Sequence, residues 1–311
     1  MIGSAAREAY RNLRYGGPTV VLELLSRGYL TAKRMAGQNV YDEDWDLLVV
    51  LDACRADLWN EVAPDHERFG PAETRTAIGG TSTEWLTETT AGADPTGLAE
   101  TAYVTGNPYS ASHVPSGTFG LTDEVWRYAW DDDAGTIPAR PITDRAIAAG
   151  REHGDEFERT IVHYMQPHFP CVPDVEGVDA GSEGIKLDRF GEEPISVWEE
   201  LRFGRTDPED VWRAYRANLA YVLDEVALLL ENVDADRVAI TADHGNAVGE
   251  YWLYGHVGGV AHPGIREVPW YETEASDEHT HEPATYERAD ETEVDDEAVA
   301  ERLQALGYAE E

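Results

Sequence analysis

Basic residues are scarce in this chain, and lysine is almost missing. The 311 residues include 61 Asp and Glu but only 24 Lys and Arg, a formal net charge of −37, and the only lysines are Lys33 and Lys186. Because no basic stripe exists to hold phosphates, we expect no nucleic-acid partner. The acidic residues are spread along the whole chain, which favours a protein dissolved in molar salt over one with a local acidic binding surface. We therefore predict a cytoplasmic protein of a high-salt cell.

Cysteine is also rare, and long apolar runs are missing. Cys54 and Cys171 give neither a disulfide framework nor a zinc-finger spacing. The first residues lack the apolar run of a secretory signal and a twin-arginine pair. No window approaches the ~20 apolar residues of a membrane span. We therefore expect no transmembrane segment.

Residues 10–36 hold a short apolar patch between arginines. We favour packing of this patch on the main domain or self-association into a homo-oligomer. The alternative is peripheral contact with a membrane surface.

Strands and helices alternate along the rest of the chain. A continuous apolar run at Leu47–Leu51 is typical of a strand buried on both faces, and further strands are predicted over 101–108, 159–165 and 236–243. The clearest helix starts at Pro208 after the capping residue Asp207. Its apolar face is formed by Val211, Trp212, Tyr215, Leu219, Val222, Leu223, Val226 and Leu230. The alternation predicts an α/β fold with a mostly parallel sheet covered on both sides.

Composition divides the chain into three parts. We predict an N-terminal helical segment over 1–44, a main domain over 45–271, and an acidic linker with a short C-terminal helix over 272–311. Residues 271–296 have almost no aliphatic side chains, so we expect a loop or a disordered linker there.

Acidic groups and histidines follow the predicted strands. Asp52 comes directly after the first strand, and Asp243 and His244 come after the fourth, whereas the third leads into a segment with His163 and His168. Ligands of open α/β sheets bind at the carboxyl ends of the strands. Two carboxylates and an imidazole at one edge suit a divalent cation such as Zn²⁺, Mn²⁺, Mg²⁺ or Ca²⁺. Farther along the chain, we expect His256 to join this group, and His262 and the histidines of 279–281 to be surface residues.

Four segments, in order, resemble sulfatase-like proteins of the alkaline phosphatase superfamily. They read "VVLDACRADLW", "GGTSTEWL", "HYMQPHFP" and "TADHGNAVGEYWLYGHVGG…REVPW". The resemblance spans about residues 45–271 plus the closing "LGY", and it looks closest to a haloarchaeal branch with "LDACR". It implies a three-layer α/β/α sandwich around a mostly parallel sheet. The members of this superfamily hydrolyse or transfer sulfate, phosphate or phosphonate esters at a metal-bound Ser, Thr or formylglycine.

The resemblance also implies roles for individual residues. By position, Asp52, Asp243 and His244 match metal ligands. His168 and His256 match substrate-contacting histidines, and His256 matches a ligand of the second metal in two-metal members. Arg55 is a further candidate for neutralising the anionic oxygens of the substrate.

The nucleophile is expected from "GGTSTEWL", which precedes a helix whose N-terminal amides could help to hold an anion. We predict Ser82, followed by Thr81 and then Thr83; the alternative is that these hydroxyls only cap the helix.

Two departures from the family pattern shape the functional prediction. The "CxPSR" motif is missing, and Cys54 lies beside the metal aspartate instead, which argues against a formylglycine arylsulfatase. Only one aspartate ends the first strand, so one metal ion is expected, with two as the alternative. We predict a metal-dependent hydrolase of small-molecule, glycan or lipid sulfate or phosphate esters. The alternatives are a phospho- or sulfo-group transferase acting on glycan or lipid head groups, and a metal-binding protein without catalysis.

Overall fold

A seven-stranded, mostly parallel sheet forms the centre of the molecule. The computed structural model describes residues 19–33, 35–154, 156–176, 185–187, 194–286 and 296–306. Across the sheet the strands run in the order β2 (Glu73–Thr76), β11 (Glu267–Ala275), β8 (Ala235–Thr241), β1 (Leu47–Leu51), β5 (Arg159–Tyr164), β3 (Thr101–Thr105) and β4 (Leu121–Glu124). Only β11 is antiparallel to its neighbours. Two short antiparallel pairs are formed by β6 (Ile185–Leu187) with β7 (Pro194–Ser196) and by β9 (Ala247–Val248) with β10 (Tyr254–Gly255).

Ten α-helices are present in the described part of the chain. They are α1 (Thr19–Ala32), α2 (Ala56–Val62), α3 (Ser82–Gly92), α4 (Pro95–Ala99), α5 (Ser110–His113), α6 (Ala139–His153), α7 (Val197–Arg202), α8 (Pro208–Leu230), α9 (Pro263–Arg266) and α10 (Asp296–Ala305). None of the helices in these residues is both long and apolar enough to span a bilayer.

Alternate side chains of β1 enter two different cores, which makes the fold a three-layer sandwich. Leu47, Val49 and Leu51 pack in a cluster that includes apolar residues of α2, α6 and α8. Leu48 and Val50 point the other way, into a cluster with residues of α3 and α4. All five side chains are buried, as the continuous apolar run predicts. The predicted α/β class with helices on both faces is therefore confirmed.

Helix α8 follows the sequence prediction closely. The Asp207 carboxylate accepts a hydrogen bond from the Glu209 amide, and Pro208 occupies the first turn. The predicted apolar face is buried, except that Trp212 is only partly covered. This face packs on the sheet and on α6.

The predicted acidic loop is wrong for its first residues, because Tyr271–Ala275 complete β11. In this half β11 pairs with β8, and none of the described strands pairs with its other edge. The charged residues Glu272 and Glu274 are exposed there, which is a common way to protect an open strand edge from aggregation. The predicted boundary at 271–272 therefore falls inside a strand.

The expected surface position is wrong for His262, whereas His279 is exposed and His281 is partly exposed. His262 is 1% exposed and packs beside the 250–252 turn. His281 is partly buried, and its Nε2 lies 2.6 Å from the Asp144 carboxylate on α6. Downstream, the predicted C-terminal helix is present as α10, and Leu306 enters the main core. The limits 1–44 stay a prediction, because residues 1–18 lie outside the described residues.

Candidate active site

The candidate site lies at the carboxyl ends of the central parallel strands. Strand β1 lies between β5 and β8, and Val50 is in register with both His163 and Thr241. Asp52 leaves β1, and Asp243 and His244 follow β8. The topology therefore brings together residues separated by almost 200 positions of sequence. All three, with His163, are fully buried.

A tight turn after β1 holds Asp243 in place. Ala53 has φ = 62°, a left-handed conformation that is uncommon for a residue with a Cβ. Its amide donates to Asp243 Oδ1 at 3.0 Å, and the His244 amide donates to the same oxygen at 2.8 Å. The other oxygen, Oδ2, faces the interior of the site.

Ser82 supplies a hydroxyl to this interior. It is the first residue of α3, and its side chain is fully buried. Its Oγ donates to Asp243 Oδ2 at 2.7 Å, with Asp52 Oδ2 at 3.2 Å and His244 Nε2 at 3.4 Å. The neighbouring threonines differ: Thr81 caps α3 by accepting from the Glu84 amide, and Thr83 Oγ1 bonds to Thr81 Oγ1. Capping therefore explains Thr81 but not the position of Ser82.

Asp52, His163 and Asp243 form a group that could hold a metal ion. Their candidate ligand atoms all lie within 4.8 Å of one another. Within the described residues, Asp52 Oδ1 and His163 Nε2 are buried and have no hydrogen-bond partner. Buried polar atoms are rarely left this way, and a cation between carboxylates and an imidazole would satisfy both. The donor set therefore fits the divalent ion that the resemblance implies.

The imidazole of His244 is also oriented toward this group. Its Nδ1–H donates to the Gly245 carbonyl at 3.0 Å, so Nε2 carries the lone pair. That Nε2 lies 3.5 Å from Asp243 Oδ2 and 3.8 Å from Asp52 Oδ1. A backbone carbonyl on the remote nitrogen is the arrangement that commonly orients a metal-binding histidine.

His256 and His168 lie beside His244. The His256 ring centroid is 4.6 Å from that of His244 and 5.4 Å from that of His168. His256 Nδ1–H donates to Asn246 Oδ1 at 2.9 Å, and His168 Nδ1–H donates to the Phe169 carbonyl, so both neutral rings carry the lone pair on Nε2. His256 is partly exposed, which places it on the solvent side of the buried group.

Burial and mutual repulsion set the protonation of the site. Burial, followed by the charge of Asp243, raises the pKa of Asp52 well above its usual range. Burial also acts to raise the pKa of Asp243, but His244, His163 and the hydrogen bonds to this carboxylate outweigh it and lower that pKa. Burial lowers the pKa of His163 and of His168 to about 4, and that of His256 well below its usual value. Neutral imidazoles beside two carboxylates suit a cation, which lets both carboxylates ionise together.

Arg55 is held in other contacts. Its guanidinium donates to both oxygens of Asp57, to the Asn246 carbonyl and to Glu250 Oε1, in four hydrogen bonds of 2.6–2.8 Å. These bonds fix the 246–250 loop to the start of α2. Its predicted contact with substrate stays a prediction, and the structure gives it a partner set of its own.

Four residues that build the site had no predicted role. His163 lies near the end of β5 and accompanies the two aspartates. Asn107, two residues past β3, donates to Asp52 Oδ2 at 2.8 Å. Asn246 orients His256, and Asn218 on α8 donates to the carbonyls of Pro167 and His168. His163 and Asn107 could have been identified from the sequence by their position, because both lie at the ends of predicted strands on the same edge of the sheet.

Comparison with known proteins gives structural likenesses. No family model matches the chain, and no curated protein sequence matches it significantly. The integral membrane lipooligosaccharide phosphoethanolamine transferase A from Neisseria meningitidis has 13% identity and a TM-score of 0.48, with 88% of this chain and 59% of that chain covered. This chain therefore spans less than two thirds of that protein.

Two further solved structures are similar to the chain. An alkaline phosphatase superfamily protein from Vibrio parahaemolyticus has 10% identity and a TM-score of 0.41, with 82% of this chain and 69% of that chain covered. A 2-O GAG sulfatase has 13% identity and a TM-score of 0.36, with 80% and 58% covered. Of these two, the first is named for the alkaline phosphatase superfamily and the second is named a sulfatase.

Proposed function

We propose that the chain is a metal-dependent enzyme that cleaves sulfate or phosphate esters with Ser82 as the nucleophile. The observation that carries this proposal is the Ser82 hydroxyl, buried between two aspartates at 2.7 and 3.2 Å and adjacent to His244. A helix cap does not need this position, because Thr81 already caps α3.

Asp52, Asp243 and His244 would hold one divalent ion, and His163 is a fourth candidate ligand. When bound, the ion would lower the pKa of a coordinated oxygen and offset negative charge in the site. Zn²⁺, Mn²⁺, Mg²⁺ and Ca²⁺ are all compatible with carboxylate and imidazole donors, and a second ion near His256 is the alternative.

The chain's own residues then account for the reaction. Ser82 Oγ attacks phosphorus or sulfur, a bond forms to Oγ, and the ester bond to the leaving oxygen breaks. The Ser82 proton leaves toward the two carboxylates, whose Oδ2 atoms lie 2.7 Å (Asp243) and 3.2 Å (Asp52) from Oγ. The leaving alkoxide takes a proton from water or from a protonated histidine.

His168 and His256 are proposed to contact the anionic group. An anion beside these rings favours their protonated form, which can donate from Nε2 to a non-bridging oxygen. In the neutral form the same Nε2 can accept the proton of the water or alcohol that later cleaves the bond to Ser82. Hydrolysis and group transfer differ only in this second acceptor.

The test compares Ser82→Ala with Thr81→Ala in molar KCl. We expect Ser82→Ala to lower kcat by about 10³-fold or more, roughly 4 kcal/mol of barrier, while bound metal is retained. Thr81→Ala should cost much less. The substrates are aryl phosphate, phosphodiester, phosphonate and sulfate panels with each candidate metal.

Three outcomes contradict parts of this proposal. Full activity of both single variants and of the double variant would refute the covalent mechanism. If Thr81→Ala is inactive and Ser82→Ala is active, the nucleophile is Thr81. Metal binding without turnover of any ester would favour a metal-binding protein without catalysis.

Product analysis with added glycerol separates the hydrolase, which releases free phosphate or sulfate, from a transferase, which forms the glycerol ester.

We also propose the high-salt cytoplasm as the setting of this enzyme. Its support is the charge of −37, spread along the chain.

A further inference from the structure

One face of the molecule collects its exposed large apolar side chains. In the residues that the structure describes, every such side chain belongs either to α1 or to the adjoining turn at Glu250–Trp252. They are Val21, Leu22, Leu24, Leu25, Tyr29, Tyr251 and Trp252, and we call them the apolar face. Leu24 and Leu25 are 64% and 65% exposed, and Tyr29 is 60% exposed. Contiguous exposed apolar residues of this size usually mark an interaction site.

The apolar face is built on a fixed support. Leu30 of α1 is buried with Leu253, Val260 and Ile265, and its carbonyl accepts a hydrogen bond from the Ala261 amide at 3.1 Å.

Glu23 gives α1 a second attachment. It is buried and pairs with Arg27 on the same helix and with Arg202 on α7. Leu24 and Leu25 are therefore exposed on a helix that is packed against the rest of the structure.

The aromatic half of the face is held in a costly conformation. Tyr251 and Trp252 have φ values of 55° and 57°, in the left-handed region that bulky residues rarely adopt. The turn buries Leu253 and leaves both rings at the surface. Backbone strain of this kind persists where the surrounding structure imposes it, often at binding sites.

Charge distinguishes this part of the chain from all the rest. Residues 1–36 contain six basic residues, Arg7, Arg11, Arg14, Arg27, Lys33 and Arg34, and only Glu8 and Glu23 as acids. This segment therefore carries a formal charge of +4 in a chain of −37. Basic residues that flank an apolar helix face match the chemistry of an anionic lipid surface.

We propose that the apolar face docks on an anionic lipid surface, with the leucines and aromatic rings in the interface and the exposed Lys33 at the lipid head groups. A second copy of the chain would be electrostatically less complementary to this face than an anionic lipid surface. It would bring two positive segments together and two strongly negative bodies close to each other.

The face also borders the candidate site. Glu250, at the start of the aromatic turn, bonds Arg55 through its carboxylate and lies next to His262 through its carbonyl. Docking would therefore hold the 246–256 loop, with Asn246 and His256, near the lipid surface. If the proposed function is correct, the ester it cleaves is one carried by a lipid; this step rests on that function, whereas docking does not.

The test is co-sedimentation of the full chain with vesicles. One set contains equal amounts of phosphatidylglycerol and phosphatidylcholine, and the other contains phosphatidylcholine alone. Binding is measured in molar KCl and at the lowest KCl concentration at which circular dichroism shows an intact fold. We expect binding to the anionic vesicles at both salt concentrations, and stronger binding at the lower one.

Matched variants separate the apolar and the electrostatic contributions. The double substitution Leu24→Ser with Leu25→Ser should weaken the lipid partition about tenfold or more, whereas Thr31→Ala on the same helix should not. Lys33→Glu should weaken binding to anionic vesicles at low salt, and the equivalent charge change Arg216→Glu on α8 should not. Circular dichroism and turnover of a water-soluble aryl ester show separately whether each variant is folded and whether the proposed function holds.

Two results would overturn the proposal. One is a wild-type chain that does not sediment with anionic vesicles at either salt concentration. The other is a wild-type dimer in light scattering that the leucine double variant converts to a monomer, because the face would then be a homo-oligomer interface.

Discussion

Asp243 is the residue on which the candidate metal group depends most, because its two oxygens have separate partners. Oδ1 accepts the amides of Ala53 and His244, which fixes the carboxylate relative to β1. Oδ2 accepts the Ser82 hydroxyl and belongs to the group with Asp52 and His163. Asp243 therefore connects the fold of the turn to the chemistry of the site.

We predict that Asp243→Ala abolishes stoichiometric metal while the fold stays largely intact. Loss of one of two carboxylates removes the charge that compensates a divalent ion. Elemental analysis after gel filtration is the measurement, with Asp57→Ala as a matched control outside the metal group. Full metal content in Asp243→Ala would show that the site assignment is wrong.

Tyr103 orients His163, and the second residue-scale prediction concerns this contact. The Tyr103 hydroxyl lies 3.0 Å from His163 Nδ1, so it can accept the Nδ1–H and leave the Nε2 lone pair for a cation. Tyr103→Phe should weaken metal affinity about 10- to 100-fold, as is common when such an orienting group is lost. Competition with a chelator measures this change.

Tyr41→Phe is the matched control for Tyr103→Phe. Its hydroxyl bonds Thr101 Oγ1 at 3.0 Å, outside the site, so the same chemical deletion should leave metal affinity unchanged. Equal metal affinities in the two variants would mean that His163 is not a ligand that Tyr103 orients.

The site was partly predictable at the residue scale. Asp52, Asp243 and His244 could be named because each directly follows an apolar strand in a motif with a family resemblance. His163 was seen but given no role, because its pairing with the aspartates depends on the register of β5 against β1. Ser82 could be ranked above Thr81 and Thr83 only by resemblance, since which hydroxyl turns inward depends on where α3 begins.

At the scale of elements, buried strands and one capped helix followed from local patterns. Leu47–Leu51 and Pro208–Leu230 satisfy burial and capping rules that act over a few residues. The far half of β11 could not be predicted in this way. Tyr271–Ala275 carry exposed acids, and only their pairing with β8 makes them a strand.

The segment after β11 is tied to the sandwich by Arg151 of α6. This arginine donates to both oxygens of Asp277 at 2.8 and 2.9 Å. These hydrogen bonds are the main reason that the pKa of Asp277 is below its usual range. Because the folded-state pKa is the lower one, the contact stabilises the fold above the unfolded pKa of Asp, about 3.9. The contribution is lost as the pH falls through the folded-state value.

We therefore predict that Asp277→Asn lowers the melting temperature at neutral pH, and that the difference from wild type shrinks as the pH falls below about 4. Thermal unfolding followed by circular dichroism between neutral pH and pH 2 at constant KCl measures this. Asp133→Asn, on an exposed loop, controls for the loss of one negative charge. A difference that grows on acidification would contradict the linkage.

At the scale of the whole molecule, charge and apolar surface are divided unequally. Residues 1–36 are net positive and include α1 with most of the apolar face, whereas the remainder of the chain is strongly negative. The cores that flank β1 are ordinary in composition and burial. The excess of acidic residues is therefore a property of the surface. The repulsion between their charges depends on the solvent more than on the fold.

The last prediction is that stability rises with ionic strength. A net charge of −37 repels itself over distances comparable to the Debye length, which is about 10 Å at ~0.1 M salt and about 3 Å at ~1 M. Unfolding separates these charges, so repulsion destabilises the folded state most at low salt. Melting temperatures from circular dichroism across a KCl series should increase steeply up to molar concentrations. NaCl should act similarly, because screening depends on ionic strength, while a neutral osmolyte at equal osmolality should not reproduce the low-salt part of the rise. A melting temperature that does not change with salt would refute the high-salt interpretation of this surface, and it would leave the site and the fold as they are.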